Sequence, residues 1–359
     1  MRSNQPPEIE RDVVDFDILA GWMDDQGLPG GPFEAVESLG GGTQNVLIGF
    51  TRGGERYVLR RGPRHLRKAS NEVMRREMQV LAALAGSDVP HPDFVAGCPD
   101  ETVMGGAVFY LMEPIDGFNA TVALPELHVS DAAVRHQMGL NAAVAVARLG
   151  AVDHVAVGLA DFGKPEPFLE RQVPRWMGEL DSYGQFEGYP GPEIPHVEDT
   201  AAWLEANLPD DYRPGIMHGD YHLANMLFSP TGPELAAIVD WEMCTIGDPL
   251  LDLGWLLATW PDPDGTPLGG MASVVTGTIG SLGGLPKPAE LVAHYAQRSD
   301  RDVAHVDWYT VLACFKLGIV LEGTHARACA GKAPKPTGDL LHAITLGLFA
   351  RAHSVITGG

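Results

Sequence analysis

Apolar and polar positions follow two rhythms along this chain, and the rhythm changes near Pro114. Before it, short apolar runs are separated by turn residues: Phe33 to Leu39, the triplet Gly40-Gly41-Gly42, Val46 to Phe50, the pair Gly53-Gly54, then Tyr57 to Leu59. Short apolar runs punctuated by glycine predict a β-meander. From about Ala69 to Ala85 the period lengthens to that of a helix, and Val108 to Met112 predicts another strand. Beyond Pro114 helical periods dominate, around Ala132 to Leu149, Thr200 to Asn207, Leu250 to Ala258, Pro288 to Gln297 and Val306 to Ala330. The stretches Phe162 to Pro195 and Pro261 to Pro286 are rich in glycine and proline and read as long surface connections. The pattern predicts an α+β chain with a small β-rich lobe followed by a larger, mainly helical one.

Composition narrows the picture. With 359 residues, 45% of them hydrophobic, the chain can bury a sizeable core. A formal charge of −22 argues against a nucleic-acid partner, because phosphate backbones are gripped by clustered Lys and Arg. Cys98, Cys244, Cys314 and Cys329 lie far apart with no Cys-x-x-Cys pair, so reduced thiols are expected rather than a disulfide framework or zinc knuckle. There is no run of about 18 uninterrupted apolar residues. The opening MRSNQPPEIE also lacks the basic start and apolar core of a signal peptide. A cytoplasmic protein without a membrane partner is expected.

The densest chemistry lies between Ile216 and Leu253, which reads IMHGDYHLANMLF, then a turn at Ser229-Pro230-Thr231-Gly232, then AAIVDWEMCTIGDPLLDL. If Met226–Phe228 pairs with the run ending at Val239, Asp220 and Asn225 come back beside Asp240. Three oxygen-bearing side chains would converge there. Phosphoryl transfer from a nucleotide asks for such a cluster, because its transition state is stabilised by divalent metal and alignment more than by covalent chemistry. Mg2+ prefers hard oxygen ligands and keeps part of its water shell, which suits Asn225 and Asp240 as ligands. Asp220 is left to orient the acceptor hydroxyl and take its proton. His222 could reach phosphate or substrate, or make a structural hydrogen bond. A rival reading takes His218, Asp220 and His222 as a His-x-Asp-x-His zinc site for hydrolysis, although that leaves Asn225 and Asp240 without a purpose.

His218-Gly219-Asp220 with Asn225 five residues after the Asp, and later Asp240, resembles the protein-kinase catalytic loop and its metal-binding aspartate. The wording HGDYHLAN, IVDWE and GDPLLDL is most similar to the aminoglycoside/choline kinase-like phosphotransferases, in the branch associated with acyl-CoA dehydrogenases. The resemblance spans Phe33 to about Gly331. It implies a protein-kinase-like two-lobe fold with residues 1–112 as nucleotide-binding lobe, 113–117 as hinge and 118–359 as helical lobe. It implies ATP and Mg2+ as cofactors and a hydroxylated small molecule, such as an aminoglycoside-like antibiotic or a metabolite, as acceptor. Asp252 would hold the catalytic loop from below, with His218 packing in the loop.

On the nucleotide side, the loop containing Gly41, Gly42 and Thr43 lies between two strands, where backbone amides could approach phosphate oxygens. The next strand, Tyr57-Val58-Leu59-Arg60-Arg61, departs from the kinase pattern by lacking a lysine. Strand alternation puts Arg60 on the face of Val58, where its planar donors can bind phosphate, and sends Arg61 to solvent. Glu77 falls within the apolar stripe of the following helix, so an Arg60–Glu77 pair is expected. The stretch Met112-Glu113-Pro114-Ile115 resembles the hinge whose backbone would hold adenine. Lys316 and Arg327 would favour an anionic acceptor if either lined the pocket, whereas the tryptophans read mostly as core. The same fold could also serve as a catalytically silent nucleotide-binding module, which the missing lysine keeps open.

Overall fold

The structure is a computed structural model that describes residues 13–39, 45–261 and 277–358. The chain forms two compact units. The first contains residues up to Ser87, His91–Asp116 and a short return, Val239–Glu242, and the second contains the rest. Gly41, Gly42 and Thr43 lie outside the described residues.

In the first unit, helix α1 (Phe16–Asp25) precedes strands β1 (Phe33–Ser38), β2 (Val46–Arg52) and β3 (Glu55–Arg61), followed by helix α2 (Ser70–Leu84) and strands β4 (Phe94–Cys98) and β5 (Phe109–Met112). The strands form one antiparallel sheet in the order β1-β2-β3-β5-β4. Strand β3 is central and pairs Arg60 with Leu47 on one side and Tyr110 on the other. Its odd positions Tyr57 and Leu59 join Ile48, Phe109, Leu111 and the α1 residues Leu19 and Met23 in one apolar cluster. Asp15 caps α1 by accepting from the amides of Asp17 and Ile18 at 3.0 and 3.1 Å, a contact that stabilises such a helix by about 1 kcal/mol.

This helix corrects one expectation. Arg61 is buried rather than solvent-facing, because α1 and the residues before it cover the odd face of β3, and its Nη1 donates to the Val13 carbonyl. Burial lowers the guanidinium below its ordinary pKa. Alternation assigned the two arginines to opposite faces but could not show that both faces are covered.

The second unit begins with helices α3 (Glu126–Ser130), α4 (Ala132–Ala151), α5 (Gln172–Ser182) and α6 (Val197–Ala206). Four short strands follow: β6 (Gly215–Met217), β7 (Met226–Phe228), β8 (Leu235–Ile238) and β9 (Thr245–Gly247). The expected hairpin is present, with Met226 opposite Ile238. Strand β6 pairs with β9, so the segment 218–225 leaves one two-stranded ladder and enters another. Helices α7 (Leu250–Thr259), α8 (Gly277–Leu282), α9 (Pro288–Ala296), α10 (Val306–Cys329) and α11 (Lys335–Thr357) complete the unit.

Every residue of α7 is buried, as befits a helix apolar on all sides. A Cβ on Gly254 would stand 2.5 Å from the Tyr309 backbone, so glycine lets α7 and α10 approach closely. Helix α11 is long and apolar enough to cross a membrane by length and composition, but it buries Ile344, Leu348 and Phe349 and packs Phe349 edge-on against Phe315 of α10. The segment expected as a surface connection from Phe162 to Pro195 instead contains α5, which buries Val173, Trp176 and Leu180. The thiols are free, with Cys98, Cys244 and Cys314 buried and Cys329 partly so.

Candidate active site

The loop after β6 is fixed before it presents any chemistry. The amides of His218 and Gly219 donate to the two carboxylate oxygens of Asp252, in the first turn of α7, at 2.5 and 2.8 Å. Gly219 has φ +86°, and a Cβ there would stand 2.5 Å from the Met243 carbonyl, so only glycine fits the turn. Farther along, the Tyr221 hydroxyl donates to the Ala142 carbonyl at 2.7 Å, and Asn119 Nδ2 donates to the Ala224 carbonyl at 2.6 Å. A loop held at four points pays little entropy to keep one side chain in place.

That side chain is Asp220. Its Oδ2 accepts from Asn225 Nδ2 at 3.0 Å, and the same Nδ2 reaches the Asp220 carbonyl at 3.0 Å. Its Oδ1 stands 3.2 Å from His222 Nε2. His222 Nδ1 accepts the Ala224 amide at 3.2 Å, so His222 caps the turn Leu223–Asn225 while its other nitrogen faces Asp220. Burial works to raise the Asp220 carboxyl, but the hydrogen bond and charge of His222, helped by His218 and Lys316, outweigh it and bring it down to about 2. Below the loop, burial pushes the Asp252 carboxyl up to about 7 against the two amides and Lys316.

Lys316 enters this network from α10. Its Nζ donates to the Gly219 carbonyl at 3.3 Å and lies over the rings of Trp255 and Trp176, at 4.5 and 5.7 Å from their centroids. Burial lowers the ammonium to about 8, while Asp220 and Asp252 work to raise it. Lys316 is therefore an internal charge beneath the loop, not a cation offered to an acceptor. Arg327, the other candidate, is exposed and donates to Thr324 Oγ1 at 2.7 Å.

The first unit holds a separate charged group. Arg60 donates from Nε and Nη2 to the two Glu77 oxygens at 2.8 and 2.7 Å, and its Nη2 also reaches Asp240 Oδ1 at 2.7 Å. The Tyr110 hydroxyl adds a hydrogen bond to Glu77 Oε2 at 3.2 Å. Burial opposes the Arg60 charge, but Glu77, Tyr110 and Asp240 overcome it and hold the guanidinium above its ordinary pKa. Burial likewise pushes the Glu77 carboxyl up, against the pull of Arg60. Asp240 adopts φ +67°, a left-handed conformation uncommon for non-glycine residues but tolerated by Asp and Asn, and its side chain is 40% exposed. Met112 ends β5, the Glu113 amide donates to the Asp93 carbonyl at 2.9 Å, and Ile115 is half-buried.

The site residues read from the sequence thus fall into two groups: Asp220, His222 and Asn225 in the second unit, and Arg60, Glu77 and Asp240 in the first. Sequence reasoning overlooked Tyr110, whose signal was its place opposite Arg60 on the next strand. It made Lys316 an acceptor contact only if that residue lined the pocket, whereas the lone lysine in the apolar run of α10 is a buried charge. The zinc-hydrolase reading gains no support. His218 Nδ1 and His222 Nδ1 already accept loop amides, and the potential metal-binding groups among the described residues lie elsewhere.

This geometry, an antiparallel sheet with a buried arginine–glutamate pair and a helical unit carrying a clamped His-Gly-Asp loop, is that of a kinase-like phosphotransferase. A profile of the phosphotransferase enzyme family matches residues 35–290, and the chain belongs to that family. It is 28% identical over 317 residues to acyl-CoA dehydrogenase family member 11 of Gallus gallus, an alignment that covers 85% of this chain and 39% of the relative. The chain therefore spans well under half the length of that curated relative. Among solved structures it is similar to a Ralstonia eutropha protein provisionally named an aminoglycoside phosphotransferase, with TM-score 0.76, 28% identity, and coverage of 95% of this chain and 99% of the other. It also shares the fold of the aminoglycoside phosphotransferase APH(4)-Ia in a ternary complex with ADP and hygromycin B, with TM-score 0.53, 12% identity, and coverage of 91% and 97%. The α+β, protein-kinase-like fold expected from the sequence is the fold of this chain.

Proposed function

We propose that this chain is a small-molecule kinase that moves the γ-phosphoryl group of ATP onto an alcohol hydroxyl in the presence of Mg2+. The observation that carries the reading is Asp220, a carboxylate fixed on both oxygens, held ionised, and mounted on a loop that Asp252 anchors. In the proposed reaction the acceptor oxygen forms a bond to the γ-phosphorus, the bond to the bridging oxygen of ADP breaks, and the hydroxyl proton passes to Asp220. A carboxyl near 2 is a weak base, so its main contribution is orientation, with the proton accepted late in a loose transition state.

Asn225 and Asp240 each carry an oxygen donor of the kind Mg2+ prefers, and each would serve as one of its ligands. The Asn225 amide nitrogen is turned toward Asp220, which leaves its carbonyl oxygen as the ligand atom. The metal would neutralise phosphate charge. Arg60, in the strand position of the usual kinase lysine, would face the phosphates with Glu77 holding its guanidinium. The ternary complex of a fold neighbour with ADP and hygromycin B supports a nucleotide donor and a hydroxylated acceptor. The acceptor class proposed is a hydroxylated metabolite or antibiotic.

The test is an acceptor panel of hydroxy acids, sugars and aminoglycosides incubated with Mg2+ and ATP, with acceptor-dependent ADP release measured for the native protein and Asp220→Asn. The expected result is release that the substitution removes. Equal release by both proteins refutes the role of Asp220. Nucleotide-induced thermal stabilisation without release on any acceptor supports the silent binding module instead.

A further inference from the structure

Away from the loop, α10 and α11 bring together a second set of donor groups that the phosphotransfer reading does not use. Glu322 and His325 lie three residues apart on α10, and Asp339 and His342 lie three apart on α11, so each pair shares a helix face. One ligand atom from each of Glu322, His325 and His342 lies within 4.8 Å of the other two. The two imidazoles are stacked, with centroids 4.5 Å apart and planes at 25°.

One nitrogen of this cluster has no partner, and its buried carboxylate has no counter-cation other than a protonated His342. The Glu322 side chain has no solvent exposure, and its contacts are the Tyr189 hydroxyl at 2.8 Å and His342 Nδ1 at 2.7 Å. Among the described residues no lysine or arginine pairs with it. His325 Nδ1 is buried and has no hydrogen-bond partner, its approach to Asp339 Oδ1 being 3.9 Å. Such an orphaned nitrogen has given up its hydrogen bond to water without gaining another. The Cys329 sulfur lies 3.6 Å from His325 Nε2, and a proton on Nε2 directed at it leaves the Nδ1 lone pair facing the cluster.

We propose that Glu322, His325 and His342 form a binding site for a zinc-class divalent transition metal that ties α10 to α11. Two imidazole nitrogens and one carboxylate oxygen suit a borderline cation better than the all-oxygen preference of Mg2+ or Ca2+. Side-chain rotation would draw the donors to the ~3.4 Å separation of a tetrahedral site with ~2.1 Å bonds. Asp339, half exposed at the edge of the cluster, has both oxygens paired with Lys335 Nζ at 2.9 and 2.8 Å, so water rather than Asp339 would complete the ligand set, and the exposure of His342 gives the ion a way in. The proposal is independent of the phosphotransferase reading.

The test uses the full chain, stripped with EDTA and titrated with Zn2+ and separately with Co2+. Expected are one equivalent of tight Zn2+, a rise in melting temperature on adding it, and a Co2+ complex with the visible absorption of a low-coordinate nitrogen and oxygen site. His325→Gln and His342→Gln should each weaken Zn2+ binding by more than about tenfold. His305→Gln, in the exposed Asp210, Asp211 and His305 group, should leave that binding unchanged. The absence of a Co2+ spectrum in the native protein overturns the proposal even if a variant fails to fold. Unchanged affinity in both folded histidine variants overturns it as well.

Discussion

Arg60 Nη2 and Asp240 Oδ1 stand 2.7 Å apart, although 180 positions separate them in the sequence. The contact gives Asp240 a fixed orientation and balances its charge before any phosphate or metal is present. Asp240→Asn should therefore keep the fold, because asparagine tolerates the left-handed backbone at this position. Acceptor-dependent ADP release should fall by at least about 10²-fold, because the anionic ligand oxygen is lost. Melting temperature measured beside initial rate separates the two effects, and a variant with near-native turnover would remove Asp240 from the metal site.

The Arg60–Glu77 pair is nearly free of water, with side-chain exposures of 9% and 1%. Removing one member of such a pair costs roughly 3–5 kcal/mol, since the other charge is left buried. In Arg60→Met, Glu77 would bind a proton to escape this cost, raising its folded pKa further above the unfolded value of about 4.3 because the opposing pull of Arg60 is gone. A carboxyl whose folded pKa is raised loses stability as pH climbs above the unfolded value, because the unfolded state releases the proton first. Urea denaturation at pH 5 and pH 8 should thus show a larger deficit for Arg60→Met at pH 8. An equal deficit at both values would mean that Glu77 stays ionised in the variant.

The parts of this architecture visible in the sequence are those set by local rhythm. Helix α2, its inward Glu77 and the β7–β8 hairpin follow from periodicity and a turn, all within short stretches of chain. Arg61 was misplaced because the cover on its face comes from α1, and nothing in β3 itself records that helix. Helix α5 was hidden because Pro174 and Gly178 weaken its local signal, and it is held instead by burial of Trp176 and Leu180. Lys316 was the hardest to place. Its meaning depends on Trp176, Trp255 and Gly219, from three distant segments that only the packed unit assembles.

His222 governs the charge of Asp220, so His222→Asn isolates that effect. Asparagine can still cap the turn through its side-chain oxygen, but it removes the ring nitrogen facing Asp220 Oδ1. Burial would then act with less opposition, and the Asp220 carboxyl should rise from about 2 toward or above the ordinary value. The acid limb of the kcat/KM profile should move to higher pH by about one unit or more if ionised Asp220 is required. In stability terms, the native carboxyl contributes above its unfolded pKa of about 3.9, and that contribution disappears as pH falls toward 2. The variant should lose this acid-side contribution. An unmoved acid limb would assign it to a group other than Asp220.

Lys316 makes the opposite prediction on the basic side. Its folded pKa is about 8, below the unfolded value of about 10.4, because burial disfavours the ammonium more than Asp220 and Asp252 support it. Between these two values the unfolded chain still holds the proton that the folded chain has released, so stability contributed by this group rises with pH across that window. Lys316→Met should abolish the rise, and methionine can occupy the space over Trp255 and Trp176 without a charge to desolvate. Turnover should fall even if the fold is as stable as the native one, because the Gly219 carbonyl loses its donor and both loop carboxylates lose a neighbouring cation. The decisive comparison is stability and acceptor-dependent turnover of both proteins between pH 7 and 10. If the native protein shows no alkaline rise that the variant lacks, Lys316 remains charged throughout. If turnover is also unchanged in the variant, the cation beneath the loop has no part in holding Asp220.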